Sequence, residues 1–266
     1  METTTSADGS TIAFDRLGAG PPVVLLPGAT CTRGVTTPLA RALAEHLTVL
    51  NVDRRGRGDS DDLGGAPWEL AREIEDVAAV VEAAGGTAAV YGHSSGAALA
   101  LHAAAAGIGV DRLVMHDAPY ALPGGEPAAQ EWDATLHALL AEGRGADALA
   151  AFLRKVGVPG PVVEGMRDAP HWPAMVGVAP TLAYDSAAIG DRDGGQVPQA
   201  LLARVDVPAL VLVGGAAPAF MLDVAEALAG GLPDARVAHL AGQGHDASPD
   251  VVAPHVAAFV AGSVSS

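Results

Sequence analysis

The sequence predicts an α/β fold, in which helices cover both faces of a mostly parallel, doubly wound sheet of about eight strands. Short apolar runs alternate with stretches whose apolar residues recur at helical spacing, which is the pattern of such a sheet. Hydrophobic residues make up 50% of the chain and aromatic residues only 4%, which favours aliphatic strands buried under helices over a β-sandwich. With 266 residues, one large domain with a buried core is expected.

Seven apolar runs are identified as strands of this sheet. In chain order they are residues 11–16, 23–26, 48–52, 88–91, 113–116, 207–213 and 236–240. The first of them is expected at an edge of the sheet. Helical spacing predicts helices at residues 37–46, 68–84, 95–106 and 218–229, and in a last segment that ends near Val260.

The alternation of strands and helices stops between Ala121 and Ala203, where Gly and Pro are frequent and no clear strand is found. This part of the chain is predicted to be a helical insertion. Residues 1–120 and 204–266 would then form the core of the fold, and residues 121–203 a cap over its functional site.

The chain carries 31 acidic and 15 basic residues, a formal net charge of −16. This charge repels nucleic acids and anionic membranes, so neither is an expected partner. The single cysteine, Cys31, excludes an intrachain disulfide and is interpreted as an inert buried thiol. Residues 1–10 do not resemble a signal peptide, and no apolar run is long enough for a membrane span. A cytoplasmic protein that acts on a small molecule is expected.

Residues 92–96, Gly-His-Ser-Ser-Gly, fit the pattern G-x-S-x-G between a predicted strand and a predicted helix. In that context the pattern is typical of a sharp turn that strains the serine and exposes its hydroxyl above the sheet. The glycines are needed because side chains there would collide with neighbouring backbone. Ser94 is therefore the predicted nucleophile. An incidental glycine-rich turn is the alternative.

His245 is the predicted general base, because it is the only histidine in a loop directly beyond a late strand. Its imidazole would accept the proton of Ser94 and return it to the leaving group. His93, next to the nucleophile, and His116, at a strand end, are expected to line the pocket. A solvated or packed side chain is the better interpretation for the others: His46, His102, His137, His171, His239 and His255.

Two backbone N–H groups are expected to stabilise an oxyanion. Residues 27–30, Pro-Gly-Ala-Thr, follow the first buried strand, and the N–H of Ala29 is the preferred donor there. The second donor is the N–H of Ser95, at the positive end of a predicted helix. A plain Pro-Gly turn is the alternative interpretation of the first segment.

These features together resemble the α/β-hydrolase superfamily over nearly the whole chain. Four segments occur in the family's order: residues 27–29, 53–60, 92–96 and 244–246. The loop at 53–60, Asp-Arg-Arg-Gly-Arg-Gly-Asp-Ser, is especially common in esterase, lactonase and peroxidase-like members. The first loop usually opens with His-Gly in the family, whereas this chain has Pro27 and Gly28. The backbone donor remains, but a side chain is removed.

The resemblance also implies a carboxylate that orients His245. The family's usual position lies just past strand 207–213, where this chain has no acid, and the next one, Asp223, is predicted inside a helix. A second position known in the family is the end of the strand after the nucleophile's helix, and Asp117 occupies it. Asp117 is preferred over Asp223 or no functional acid. The structural interpretation of Asp117 is a strand-end residue that bonds loop amides.

The resemblance implies hydrolysis of an ester, thioester or lactone of a small, largely apolar substrate through an acyl-serine intermediate. No cofactor is expected, and no metal, since cysteines and histidines lack zinc-site spacing. The insertion is expected to determine the substrate, with Trp132, Trp172, Met175 and Tyr184 lining a pocket. The alternative is a non-hydrolytic protein on this scaffold: a biosynthetic cyclase, an acyltransferase or a small-molecule binding protein. The missing acid past residue 213 favours that alternative.

Overall fold

The computed structural model describes residues 1–262, in which eight strands form one sheet. The strands are β1 (Glu2–Thr5), β2 (Thr11–Leu17), β3 (Pro22–Leu26), β4 (Thr48–Val52), β5 (Ala88–His93), β6 (Val110–His116), β7 (Ala209–Gly214) and β8 (Ala235–Leu240). Their order across the sheet is β1-β2-β4-β3-β5-β6-β7-β8. β1 and β2 pair antiparallel with their neighbours, and all other pairs are parallel. The predicted fold class is confirmed.

One detail of the prediction is wrong, because residues 11–16 do not lie at the edge of the sheet. β1 pairs with the outer side of β2 and takes the edge position. Its sequence, Glu-Thr-Thr-Thr, contains no apolar residue, and its side chains are mostly exposed. A strand that buries so little has no hydrophobic alternation from which it can be predicted.

Helices cover both faces of this sheet. They are α1 (Arg33–Leu43), α2 (Leu70–Ala83), α3 (Ser95–Ala105), α4 (Glu126–Ala141), α5 (Gly145–Lys155), α6 (Gly160–Met166), α7 (Trp172–Gly177), α8 (Leu182–Ile189), α9 (Gln199–Leu202), α10 (Ala219–Gly231) and α11 (Pro249–Val260). α1 and α11 share one apolar cluster, which includes Leu43 and Val256. α2, α3 and α10 share the other, which includes Leu99 and Leu228. Alternate residues of β3 belong to the two clusters, as the period of a strand requires.

Helices α4 to α9 all lie between β6 and β7, where the sequence predicts a helical insertion. They have two small apolar cores of their own, one around Leu149 and Trp172 and one around Trp132 and Leu136. α8 also packs against α3 of the sheet layer. None of the helices in the described part of the chain combines the length and the apolar character that crossing a bilayer requires.

Candidate active site

Ser94 lies on a strained turn between β5 and α3. Its backbone angles, φ 55° and ψ −125°, fall in a region that residues other than glycine rarely adopt. Crowding explains the glycines around it. A Cβ on Gly92 would lie 2.1 Å from the carbonyl oxygen of Gly96, and one on Gly96 would lie 2.3 Å from that of Leu26. The G-x-S-x-G spacing is therefore a steric requirement of this turn.

Asp117 directly follows β6 and has a positive φ of 48°. Its side chain is fully buried, and Oδ2 lies 3.3 Å from Nδ1 of His245. Oδ1 accepts a 3.0 Å hydrogen bond from the N–H of Gly214, at the end of β7. The carboxylate that is missing after β7 in the sequence is thus supplied by the neighbouring strand. Asp223, the other candidate, is exposed on α10.

The charge state of Asp117 follows from its surroundings. Burial by itself raises the pKa of this carboxyl, but contacts with His245, His116 and the N–H of Gly214 outweigh burial. The net effect lowers the pKa below its usual value, so Asp117 is negatively charged at neutral pH. An anion that faces Nδ1 of His245 favours the tautomer in which Nδ1 carries the proton.

His245 lies in the loop between β8 and α11, and its side chain is 41% exposed. Its backbone carbonyl accepts a 3.0 Å hydrogen bond from Nε2 of His93, and the two imidazole rings are 4.6 Å apart. Because His93 immediately precedes Ser94, this contact brings the His245 loop to the serine. The residues that the sequence pairs as nucleophile and base therefore lie in the same part of the molecule.

A buried histidine lies behind Asp117. Nδ1 of His116 is 2.7 Å from the hydroxyl of Tyr91, while its Nε2 lies 3.9 Å from Oδ2 of Asp117 and has no hydrogen-bond partner among the described residues. Burial above all, and then the neighbouring His93, lowers the pKa of His116 to about 3. The ring is therefore neutral at pH 7. When Tyr91 donates to Nδ1, the ring proton is on Nε2 and faces the carboxylate.

These residues form what is here called the histidine cluster: Tyr91, His93, His116, Asp117 and His245. Three of its members, His93, His116 and Asp117, each place one metal-ligand atom within 4.8 Å of the others. Imidazole and carboxylate groups are ligands that Zn²⁺ accepts. However, Nε2 of His93 is bonded to the carbonyl of His245, and Asp117 contacts His245 as well. A metal ion at this place would therefore disrupt the contact between Asp117 and His245.

The loop after β3 also reaches the serine. A Cβ on Gly28 would lie 3.1 Å from Cβ of Ser94, so the loop and the turn are in near contact. Thr30 continues the loop with a positive φ of 59°. Within residues 1–262, neither the N–H of Ala29 nor that of Ser95 has a hydrogen-bond acceptor. That these two N–H groups bind an oxyanion stays a prediction.

Sequence reasoning missed a buried group of charged and polar side chains beside this loop. It is here called the arginine cluster: Arg54, Arg57, Glu73, Ser95 and Asp185. A signal for it was present, since three of the chain's 15 basic residues fall within four positions of the loop at 53–60. The acid that two of them bind, Asp185, lies 131 and 128 residues further along the chain. No local pattern indicates that partner.

The predicted pocket residues fall in different places. Trp132 belongs to the apolar core against which Ala29 packs. Trp172 and Met175 belong to the other core of the insertion. Tyr184 is buried, and its hydroxyl donates a 3.1 Å hydrogen bond to Asp62. Contact of these four side chains with a substrate stays a prediction, and Trp132 is the one whose core includes a residue of the candidate site.

A mostly parallel sheet with a serine on the sharp turn after one inner strand, and a histidine in the loop after the last, defines an α/β hydrolase. The chain belongs to the alpha/beta hydrolase family, whose model matches residues 23–256. An alpha/beta hydrolase from Sphaerobacter thermophilus DSM 20745 is 48% identical, with a TM-score of 0.84 and coverage of 97% of this chain and 99% of that one.

Two further relatives are esterases. An esterase from Rhodococcus sp. ECU1013 is 25% identical, with a TM-score of 0.69 and coverage of 97% of this chain and 98% of that one. A pimeloyl-[acyl-carrier protein] methyl ester esterase from Pseudoalteromonas atlantica is 33% identical over 95 residues, which are 36% of this chain and 36% of that protein's length. The family and these neighbours support a hydrolase.

Proposed function

We propose that this protein is a serine hydrolase that cleaves an ester, thioester or lactone of a small, largely apolar substrate. The observation that carries the proposal is the 3.3 Å approach of Oδ2 of Asp117 to Nδ1 of His245. It joins a buried anion to an imidazole whose loop contacts the residue next to Ser94. These contacts support the roles of Ser94 as nucleophile, His245 as base and Asp117 as orienting acid.

In the proposed reaction, Oγ of Ser94 attacks the carbonyl carbon of the substrate while Nε2 of His245 accepts its proton. Asp117 holds the ring of His245 and stabilises the imidazolium. The negative charge that forms on the carbonyl oxygen is bound by the N–H groups of Ala29 and Ser95. His245 then protonates the leaving group as its bond to carbon breaks, and a water molecule releases the acyl group by the same steps. No metal or cofactor takes part in this scheme.

The esterases among the relatives support the ester as the bond that is cleaved. The insertion, residues 121–203, is proposed to act as the cap that limits the substrate. Its Trp132 core packs against Ala29, so apolar side chains of the insertion and a proposed oxyanion donor are neighbours. A small acyl group without charge suits such surroundings, because burying an unpaired charge there would be costly.

The alternative to a hydrolase is a non-hydrolytic protein: a cyclase, an acyltransferase or a binding protein. In the sequence, the absence of an acid just after residue 213 favoured this alternative. Asp117 now provides a carboxylate at the end of that strand, bonded to Gly214 and in contact with His245. The one observation that favoured the alternative therefore no longer does so. Labelling of the serine distinguishes acyl-serine chemistry from binding alone, and hydrolysis of an ester distinguishes a hydrolase from an acyltransferase or a cyclase.

The test uses a fluorophosphonate probe together with a p-nitrophenyl ester of a short acyl chain. Wild-type protein should be labelled and should hydrolyse the ester, because a serine activated by His245 reacts with both. Ser94→Ala should abolish labelling and lower kcat by about 10⁴-fold or more. Ser186→Ala, which removes a buried hydroxyl bonded to Asp133 in the insertion, should be labelled like the wild type. An unlabelled wild type, or a Ser94→Ala variant with full turnover, would rule the proposal out.

A further inference from the structure

Asp185, on helix α8 of the insertion, binds three donors that belong to the core of the fold. Oδ1 accepts hydrogen bonds from Nη1 of Arg54 at 2.8 Å and from Oγ of Ser95 at 2.7 Å. Oδ2 accepts one from Nη2 of Arg57 at 2.8 Å. Burial by itself raises the pKa of this carboxyl, but Arg57 and Arg54 outweigh burial and lower it. Asp185 is therefore an anion that the two guanidinium groups hold in place.

The same two arginines hold the carbonyl groups of the loop beside Ser94. Nη1 of Arg57 donates a 2.9 Å hydrogen bond to the carbonyl of Gly28, and Nη1 of Arg54 donates one of 3.2 Å to that of Pro27. In a trans peptide the C=O and the N–H of the next residue point in opposite directions. When Arg57 holds the carbonyl of Gly28, the N–H of Ala29 is directed away from Arg57. It has no acceptor in the described part of the chain.

The same carboxylate also binds Ser95, the residue whose backbone N–H is the second proposed donor. The hydroxyl of Ser95 donates to Asp185, while its backbone N–H is in the first turn of α3, where no helix carbonyl can reach it. Asp185 thus contacts Ser95 directly and the Gly28–Ala29 peptide through one guanidinium group. One side chain of the insertion connects the two N–H groups on which the oxyanion would depend.

Burial of so many charges is difficult to explain by stability alone. Both arginines and Asp185 are at most 3% exposed, and the loss of hydration roughly cancels the attraction between such charges. Apolar side chains would join the insertion to the sheet equally well. Unlike apolar contacts, charged hydrogen bonds fix the orientation of the groups that they join. An oxyanion site needs this, because its donors must be oriented before the reaction begins.

We propose that Asp185 is a positioning residue for the oxyanion donors, so that the insertion helps to orient the N–H groups of Ala29 and Ser95 besides limiting the substrate. This inference rests on the proposed function, because it assumes that an oxyanion forms next to Ser94. Asp185 itself touches neither the substrate nor the reacting atoms. It acts through Arg57, Arg54 and Ser95.

The test is Asp185→Asn, which keeps the size of the side chain but removes its charge and one of its acceptors. For the p-nitrophenyl ester, kcat should fall by about 10- to 100-fold, with KM changed less than about threefold. This is less than the loss of about 10²- to 10³-fold that removal of a whole oxyanion donor causes, because the N–H groups remain and only their orientation is relaxed. Affinity for a trifluoromethyl ketone, which forms an oxyanion on reaction with Ser94, should fall by a factor similar to that of kcat. Affinity for the corresponding trifluoromethyl carbinol, which has no carbonyl group and forms no oxyanion, should not.

The matched control is Asp191→Asn. Asp191 is also a buried acid of the insertion, but among the residues that the structure describes its side chain accepts a hydrogen bond only from Ser186. This variant should have the kcat and the ketone affinity of the wild type. If Asp185→Asn lowers kcat no more than Asp191→Asn does, or weakens binding of the ketone and of the carbinol equally, Asp185 has no positioning role.

If the Asp185→Asn variant does not fold, the Arg57→Lys variant tests the inference instead. It keeps a positive charge near Asp185, but a single ammonium group cannot reproduce the bonds of a guanidinium to Gly28, Thr181 and Asp185. The ketone affinity should again fall more than the carbinol affinity, and equal losses would refute the inference. Failure of the proposed function looks different, because the wild type itself would then not be labelled by fluorophosphonate.

Discussion

Two polar clusters flank Ser94, and they differ in how completely their groups are paired. In the histidine cluster, Nε2 of His116, Oδ2 of Asp117 and Nδ1 of His245 have no aligned hydrogen-bond partner within residues 1–262. In the arginine cluster, every side chain makes at least one direct hydrogen bond, and Asp185 alone accepts three. The first cluster is open to solvent at His245, whereas no member of the second is more than 3% exposed.

Under the proposed function, this difference fits two separate roles, proton transfer in the histidine cluster and orientation of backbone donors in the arginine cluster. Groups that are to move a proton must be able to change partners, and a 3.3 Å approach without alignment can tighten when an imidazolium forms. Groups that only orient a backbone donor are most effective when their charges and hydrogen bonds stay the same during the reaction. Substitutions in the first cluster should therefore affect turnover and its response to pH, and those in the second should affect stability or transition-state binding.

Among substitutions within the two clusters, the largest effect is expected from Asp117→Asn. We expect kcat/KM for an aryl ester to fall by about 10²- to 10⁴-fold, because an amide stabilises neither the imidazolium nor the required tautomer of His245. Steady-state kinetics measure this, with unfolding by urea as a check on stability. Asp223→Asn, which changes an exposed acid on α10, should retain full activity. If Asp223→Asn lost activity and Asp117→Asn kept it, Asp223 would be the acid that orients His245 and Asp117 would have no catalytic role.

Glu73→Gln should have the next largest effect, and it should appear in stability. Glu73 forms two hydrogen bonds with the buried guanidinium of Arg54, at 2.8 and 2.7 Å. Loss of this charge leaves a buried cation half-paired, which should lower the free energy of unfolding by about 3 kcal/mol. The kcat should change less than about threefold, because Asp185 still binds Arg54.

Glu75→Gln is the matched control on the same helix, since Glu75 pairs with the partly exposed Arg72. Urea unfolding should not distinguish it from the wild type. If Glu73→Gln were as stable as the control, the arginine cluster would not contribute to stability as its burial implies.

The smallest effect is expected in the acid dependence of stability, and it comes from His116. The pKa of His116 is about 3 in the fold, against 6.5 for an ordinary histidine. Between these values the unfolded chain binds a proton that the folded chain does not. The contribution of His116 to the free energy of unfolding is therefore fully present above pH 6.5. It declines as the pH falls towards 3, by at most about 1.4 kcal/mol per pH unit.

His116→Gln has no group that titrates at this position, so its stability should decline less steeply between pH 6 and pH 4. Urea unfolding at several pH values measures the two slopes, and equal slopes would contradict a buried neutral His116.

Much of the site follows from local sequence, and the strained turn at Ser94 is the clearest case. Gly92 and Gly96 are required by contacts within a few residues or with the adjacent strand, so a five-residue pattern was enough to find them. β1, in contrast, could not be predicted from local sequence. Its glutamate and threonine side chains are mostly exposed, so it has no apolar alternation. Asp117 came from a family resemblance, because no spacing in the chain connects it with His245.

Apart from β1, the sequence by itself determined the order of strands and helices along the chain, the helical segment between β6 and β7, and the turn that carries Ser94, since burial and steric limits act on neighbouring residues. Only the tertiary structure decided which charges meet: Asp117 with His245, and Asp185 with Arg54 and Arg57. The physical reason is that a hydrophobic pattern specifies which face of an element is buried but not which distant side chain faces it. Parallel strands bring residues more than 100 positions apart to one edge of the sheet, and a buried charge is stabilised by whichever partner packing places there.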